Sequence, residues 1–413
     1  MAVIPTTEAA PRRNVYRWGL FLGLSIIAVL AATLGDQVWR IWSLPLMQRP
    51  FADLRTITGA ADSLAAGLDP LVQNPGDPWG RAMTYPRVWL ALAYLGVTQI
   101  DTVIIAFVEI ALFVWGLWAL GRLSTSRLMG AILLLHVFSP VTALAVERAN
   151  NDLVAFVLVS VFCLSIGSSD VRRRVGASTA LVLAIVLKLF PLFALPALLV
   201  LPRRRALHYA GTILLVSVAY FVVTLDDLLI IFRDTPRADF FSYGMNVVWP
   251  RLGIGYVHTA AFAALAVVVA GALWLSRRAT TTLSIGPTDA AFLAGAGIYT
   301  CTFVLGNNWD YRLVFLILTV PKLVEWTQSR PDNLLRSLAW IAIGASLLSC
   351  WHLALSNALR PLPHGYEGAY FVDEATNWAL FAALLTLLLK YLRGRWSVAH
   401  SPEALGLPSL PAQ

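Results

Sequence analysis

Charge is scarce in this sequence: Asp, Glu, Lys and Arg supply 13% of 413 residues, against 58% hydrophobic. A water-soluble domain of that length could not hide so much apolar surface. Long apolar runs alternate with short polar ones, which is the pattern of a polytopic membrane protein. Cysteine is scarcer still. Cys163, Cys301 and Cys350 all stand inside apolar runs without CxxC spacing, so neither a disulfide frame nor a metal cluster is indicated. The formal net charge is +8, yet the basic residues gather beside the apolar runs as topology signals do, which argues against nucleic acid as a partner. No small-residue cleavage site follows the first run; Gln37, Trp39 and Trp42 do, and the first helix therefore reads as retained. Residues 1–205 and 206–413 show no self-similarity, unlike the matched halves of many secondary transporters.

What is present is about ten apolar runs near the ~20 residues that a spanning helix needs. They fall at 16–34, 101–121, 128–146, 152–168, 208–225, 257–276, 288–305, 311–323, 334–352 and 376–392. The expected fold is all-α and multi-pass. With the basic N-terminus (Arg12, Arg13, Arg17) in the cytoplasm, the arginine and lysine groups at 122–127, 172–174, 203–205, 277–278, 322–336 and 390–395 all fall inside if two stretches do not cross. Both termini are then cytoplasmic. The first exception, 84–96, is short, begins near Pro86 and reads as an interfacial helix closing an outer segment 36–85.

The second exception lies between the triplets Arg172–Arg174 and Arg203–Arg205. It is 28 residues long and has Lys188 as its one charge. At 1.5 Å per residue it cannot cross a ~30 Å core twice as α-helix. A re-entrant hairpin entered from the cytoplasm fits, with Lys188 halfway and near the tip and the helix breaking at Pro191. A charge at that depth costs ~2.5 to 3.5 kcal/mol on insertion scales, so an anion should face it. A snorkelling lysine or a structural carboxylate partner is the plainer account.

Three outer stretches supply polar company. Asp53 follows the first helix in a segment with helical spacing of small and apolar residues, where an outer carboxylate can serve as a general base; Asp36, Asp62, Asp69 and Asp77 are rivals in the same loop. The turn "VERANND" gathers Glu147, Arg148, Asn150, Asn151 and Asp152, and "GNNWDYR" brings Asp310, Tyr311 and Arg312 to an outer mouth. Helix caps and interfacial aromatics would account for both turns without any chemistry.

The succession of "ADLRTITGAADSLAAGLDPL", "TYPRVW", "VERANNDLVAFVL" and "LKLFPL", over roughly residues 15 to 205, resembles the glycosyltransferase-C superfamily. It is similar in particular to the polyprenyl-phosphate-mannose-dependent α-mannosyltransferases of bacterial envelopes, and more distantly to the GPI mannosyltransferases. Ala149 stands where that family usually has Gly, and Arg87 where a second proline is common. Leu54 and Arg55 after Asp53 leave no Asp-x-Asp metal site. The resemblance implies an enzyme without a cofactor that moves mannose or a related sugar from a polyprenyl-phosphate donor to an envelope glycolipid or glycan, with inversion. It places the work on the outer face of a bacterial inner membrane. Asp53 would be the base, Lys188 and Arg148 would meet the donor phosphate, and Tyr85, Asn151, Asp152, Asp310 and Arg312 would line the substrate. Residues 1–205 would form the catalytic module and 206–413 a variable one with outer loops 226–256 and 353–375. A surface-glycan polymerase or ligase, a lipid-linked sugar flippase or transporter, and a non-enzymatic assembly factor are the other readings.

Overall fold

The computed structural model describes residues 15–238, 240–278, 285–328 and 333–399; Arg12, Arg13 and Arg330, used above for orientation, lie outside them. Among the described residues the chain is almost wholly helical, with one short ladder in which Ser242 pairs with Trp309 and Tyr243 with Asn308. Helix is the expected solution in hydrocarbon, where each backbone N–H and C=O must be satisfied within its own segment. Six helices are long and apolar enough to cross a bilayer: Val15–Trp42, Gln99–Leu123, Arg203–Val223, Val257–Arg278, Asn333–Leu359 and Gly365–Gly394. A seventh arises if Arg127–Val137 and Pro140–Arg148, bent by 47°, form one broken span. Large apolar side chains such as Phe21, Leu22, Val29, Leu215 and Val222 are exposed along these helices, as surfaces turned to lipid are.

Fewer single helices reach spanning length than the ten apolar runs suggested. The runs at 152–168 and 288–305 form helices of 14 and 17 residues, Asp152–Ser165 and Asp289–Leu305. The run at 311–323 divides into a 3-10 helix, Asp310–Leu318, and an α-helix, Val320–Gln328. A second 3-10 helix, Phe190–Val200, carries Pro191 and Pro196. Such runs rarely exceed three or four residues, because their hydrogen bonds are poorly aligned. Here both pack on the small-residue face of Asp289–Leu305. A Cβ on Gly297 would overlap the Phe193 carbonyl oxygen, and one on Gly295 would lie 2.8 Å from the Phe315 carbonyl oxygen. Backbone-to-backbone contact of this kind cannot yield to a methyl. Gly297→Ala is therefore expected to destabilise the detergent-solubilised protein by about 2 kcal/mol or more. Gly344→Ala, a helix position with nothing within 4 Å of its Cβ, should be neutral or slightly stabilising. Thermal unfolding of the two variants side by side checks this.

The stretch between the arginine triplets turns back on itself, but not where the sequence suggested. Helix Val171–Lys188 has 18 residues, about 27 Å at 1.5 Å each, and the chain returns along Phe190–Val200, about 22 Å at the 2.0 Å rise of a 3-10 helix. Lys188 is thus the last helical residue at the tip. The reversal falls on Leu189 (φ 61, ψ −61) rather than on Pro191. Pro191 instead sits in the first turn of the returning 3-10 helix, where its missing N–H costs no internal hydrogen bond. At the tip the Trp89 indole donates to the Leu187 carbonyl at 3.1 Å, so the hairpin reaches the stretch 84–96.

Two further expectations change. The stretch 84–96 forms only a 3-10 turn, Arg87–Leu90, and one α-turn, Ala91–Tyr94. The anticipated outer loop 353–375 is mostly helix, because Asn333–Leu359 and Gly365–Ala399 both extend into it. Asp373 and Glu374, which fall in that stretch, are buried.

Candidate functional site

Asp53 occupies the first turn of helix Ala52–Ala65, where a carboxylate is favoured by the helix dipole. The helix is seated by close backbone approach: a Cβ on Gly59 would lie 2.5 Å from the Gly76 backbone. The loop it rests on is held by buried polar groups, with Asn74 donating to the Thr56 carbonyl at 3.1 Å and Asp77 pairing with Arg81 at 2.9 Å. Arg81 also donates to the Ala52 carbonyl, so one guanidinium ties the loop to the start of the Asp53 helix. Its Nη1 lies 3.7 Å from Asp53 Oδ1.

The facing wall is the turn between helices Pro140–Arg148 and Asp152–Ser165. Ala149 takes the left-handed conformation (φ 42, ψ 53) and ends the first helix. Asn150 Oδ1 accepts from the Asp152 amide at 2.9 Å, capping the second. The same amide group bridges two charges: Asn150 Nδ2 donates to Asp53 Oδ2 at 2.6 Å, and Lys188 Nζ donates to Asn150 Oδ1 at 3.0 Å. Lys188 also donates to Asn151 Oδ1 and lies 2.9 Å from Asp152 Oδ1.

The third wall comes from the C-terminal half. Arg312, in helix Asp310–Leu318, reaches to 3.7 Å from Asp152 Oδ2, donates to Asn308 and stacks over the Phe190 ring at 4.3 Å. Asp152 is fully buried and thus sits between an ammonium and a guanidinium. Tyr85 and Tyr311 place their rings 4.7 and 5.9 Å from Lys188 Nζ, where the ring faces attract a cation. The result is a continuous chain of groups: Arg81, Asp53, Asn150, Lys188, Asp152, Arg312. Asp53 is its most accessible carboxylate, with a side chain 14% exposed against 0% for Asp152.

Six of the eight residues singled out from sequence meet here: Asp53, Tyr85, Asn151, Asp152, Lys188 and Arg312. Two point elsewhere. Arg148 pairs with its neighbour Glu147 at 2.9 Å, and Asp310 lies 3.2 Å from His352 Nε2 on the far side of its helix. The connecting roles of Asn150, Arg81 and Tyr311 escaped the sequence reading. Asn150 stood in the quoted turn, but nothing in spacing says that of two adjacent asparagines, both of which meet Lys188, it is Asn150 that also reaches Asp53. Backbone strain marks the same place. Of the five described non-glycine residues with positive φ, Ala149 and Leu189 directly flank Asn150 and Lys188, and Phe51 stands two residues before Asp53; such conformations cost about 1 to 3 kcal/mol each.

The arrangement can do two things chemically. A largely buried carboxylate in the first turn of a helix can accept a proton, and a lysine held one amide away can donate hydrogen bonds to an anion. Among the described residues no group of three or more His, Cys, Asp or Glu side chains is placed to hold a metal ion. The chain matches no known protein family, no curated protein and no solved structure.

Proposed function

We propose that this protein is a membrane glycosyltransferase working at the outer face of a bacterial inner membrane. It moves mannose or a related sugar from a polyprenyl-phosphate donor to an envelope glycolipid or glycan, with inversion at the anomeric carbon. The observation that carries the reading is the bridge Asp53–Asn150–Lys188, a carboxylate and an ammonium held apart by one amide at the junction of three outer segments. Two further features support it. Ala149 adopts the left-handed conformation that suits glycine, at the position where the mannosyltransferases it resembles usually have glycine. The aromatic rings of Tyr85 and Tyr311 over Lys188 give a sugar flat apolar faces beside the cation.

In this reading Asp53 takes the proton of the acceptor hydroxyl as its oxygen attacks the anomeric carbon. The bond from that carbon to the phosphate oxygen breaks on the opposite face, and the lipid phosphodiester leaves as a phosphate monoester with one more negative charge. Lys188, preorganised by Asn150 and Asp152, donates to the oxygens on which that charge grows. Arg312 holds Asp152 in place from the other side. The apolar helices around the site would carry the prenyl chain in the bilayer.

The test is reconstitution in liposomes with radiolabelled polyprenyl-phosphate sugars and envelope lipid extract. The expected product is a new labelled glycolipid with inverted linkage. Label that crosses the bilayer without changing its carrier would support a transporter, and lengthened glycan chains would support a polymerase.

A further inference from the structure

Asp310 and His352 lie outside the chain of groups described above, yet they are joined to it by one short element. His352 is on helix Asn333–Leu359, is 3% exposed and engages both ring nitrogens. Its Nδ1 is 2.7 Å from the Ser349 carbonyl oxygen and its Nε2 is 3.2 Å from Asp310 Oδ2. A carbonyl oxygen only accepts, so Nδ1 carries a hydrogen. Nε2 then meets a carboxylate oxygen, and a contact between two acceptors would repel. The pair therefore carries one proton, and its contact at 3.2 Å is a charged one without hydrogen-bond alignment. Asp373 and Glu374, from helix Gly365–Ala399, act on the same imidazole.

Asp310 is also the first residue of the 3-10 helix Asp310–Leu318. With three residues per turn, successive side chains point about 120° apart. Asp310 points to His352, Tyr311 to Lys188 and Arg312 to Asp152. The start of this helix has few other restraints in its own backbone, since the first amides of any helix lack internal partners. The Asp310 amide donates instead to the Phe241 carbonyl at 2.9 Å. Turning Asp310 about the helix axis would carry Tyr311 and Arg312 off their targets.

We infer that Asp310 and His352 are a positioning pair: their buried contact fixes the rotation of the 310–312 triplet and so sets Tyr311 and Arg312 against Lys188 and Asp152. The inference rests on the reading of that site as a lipid-phosphate site, and neither residue touches substrate. A purely structural pair would stabilise the packing of the three helices without governing the site.

The experiment uses the full chain in nanodiscs, with sugar-free polyprenyl phosphate as the probe and amide hydrogen exchange over residues 306–313 as a second readout. His352→Asn, which cannot carry the proton, is expected to weaken lipid-phosphate binding about tenfold and to speed exchange at 306–313. Arg312→Lys should weaken binding comparably. The double variant should be no more than about twofold worse than the weaker single one, because both act through the same group. Multiplied effects, or unchanged exchange at 306–313, would overturn the inference. Where His352→Asn does not fold, Asp310→Glu keeps the pair on a longer arm, and binding reduced two- to fivefold with faster exchange is expected. Wild-type behaviour of that variant, or loss of folding in both, would assign the pair to the fold alone. A wild type that binds the lipid phosphate but transfers no sugar would remove the transfer reading and leave this inference standing. A wild type that does not bind it would remove the shared premise, and the exchange readout alone would then decide whether the pair sets the triplet.

Discussion

Asp53→Asn is expected to leave a folded protein that binds the donor normally and turns it over at least about a hundredfold more slowly, the usual scale for loss of a general base. The substitution is isosteric, and an asparagine oxygen can still accept from Asn150 Nδ2. The neighbouring aspartates separate from Asp53 by what they hold. Asp62 accepts from the Gln99 amide at 3.1 Å. Asp69 forms a double hydrogen bond with Arg87 at 2.9 Å, which keeps its carboxyl below the usual range. Asp77 accepts from the amides of Trp79 and Arg81 at 3.0 Å and pairs with the Arg81 guanidinium. Asp36 is exposed. Asp77→Asn should thus lower the unfolding temperature with turnover per folded molecule little changed, the opposite signature. Near-normal turnover in Asp53→Asn would remove it from the chemistry.

Lys188→Met is expected to lose both stability and function. The sequence left a donor anion and a structural carboxylate open as partners of this lysine. The structure supplies a carboxylate, because Lys188 is the nearer partner of Asp152, which is fully buried. Removing one member of a buried pair leaves the other uncompensated, at about 3 kcal/mol or more; Arg312 at 3.7 Å offsets only part of it. Adding Asp152→Asn to Lys188→Met should restore much of the stability and none of the donor binding. Lys188→Arg should fold and work partially, since charge is kept and geometry is not. If the double variant regains donor binding together with stability, Lys188 is a structural partner only.

The all-α multi-pass architecture was legible in the sequence because long apolar runs and arginine clusters carry that information directly. The hairpin was legible too, from the conflict between two cytoplasmic triplets and too short a chain between them. Its break was misplaced by two residues, because a proline can open a helix as well as end one, and here Pro191 stands in the first turn of the returning 3-10 helix. The 3-10 helices were not legible. An apolar run reads the same whether it rises 1.5 or 2.0 Å per residue, and only the packing on Gly295 and Gly297 shows which was chosen. In the site, residue type and order brought six residues together, while Arg148 has a partner of its own in the adjacent Glu147.

The Asn150 amide has one more implication. Had Lys188 met Asp53 directly, the pair could pass a proton between them and the base would be spent on its own neighbour. An amide neither gains nor gives up a proton at neutral pH, so it acts as an insulator between the two. The carboxylate stays open to an incoming hydroxyl while the ammonium keeps its charge for the phosphate. An acid at position 150 would bring the two charges into one conducting path, with the site's own wiring closing the circuit before any substrate arrived.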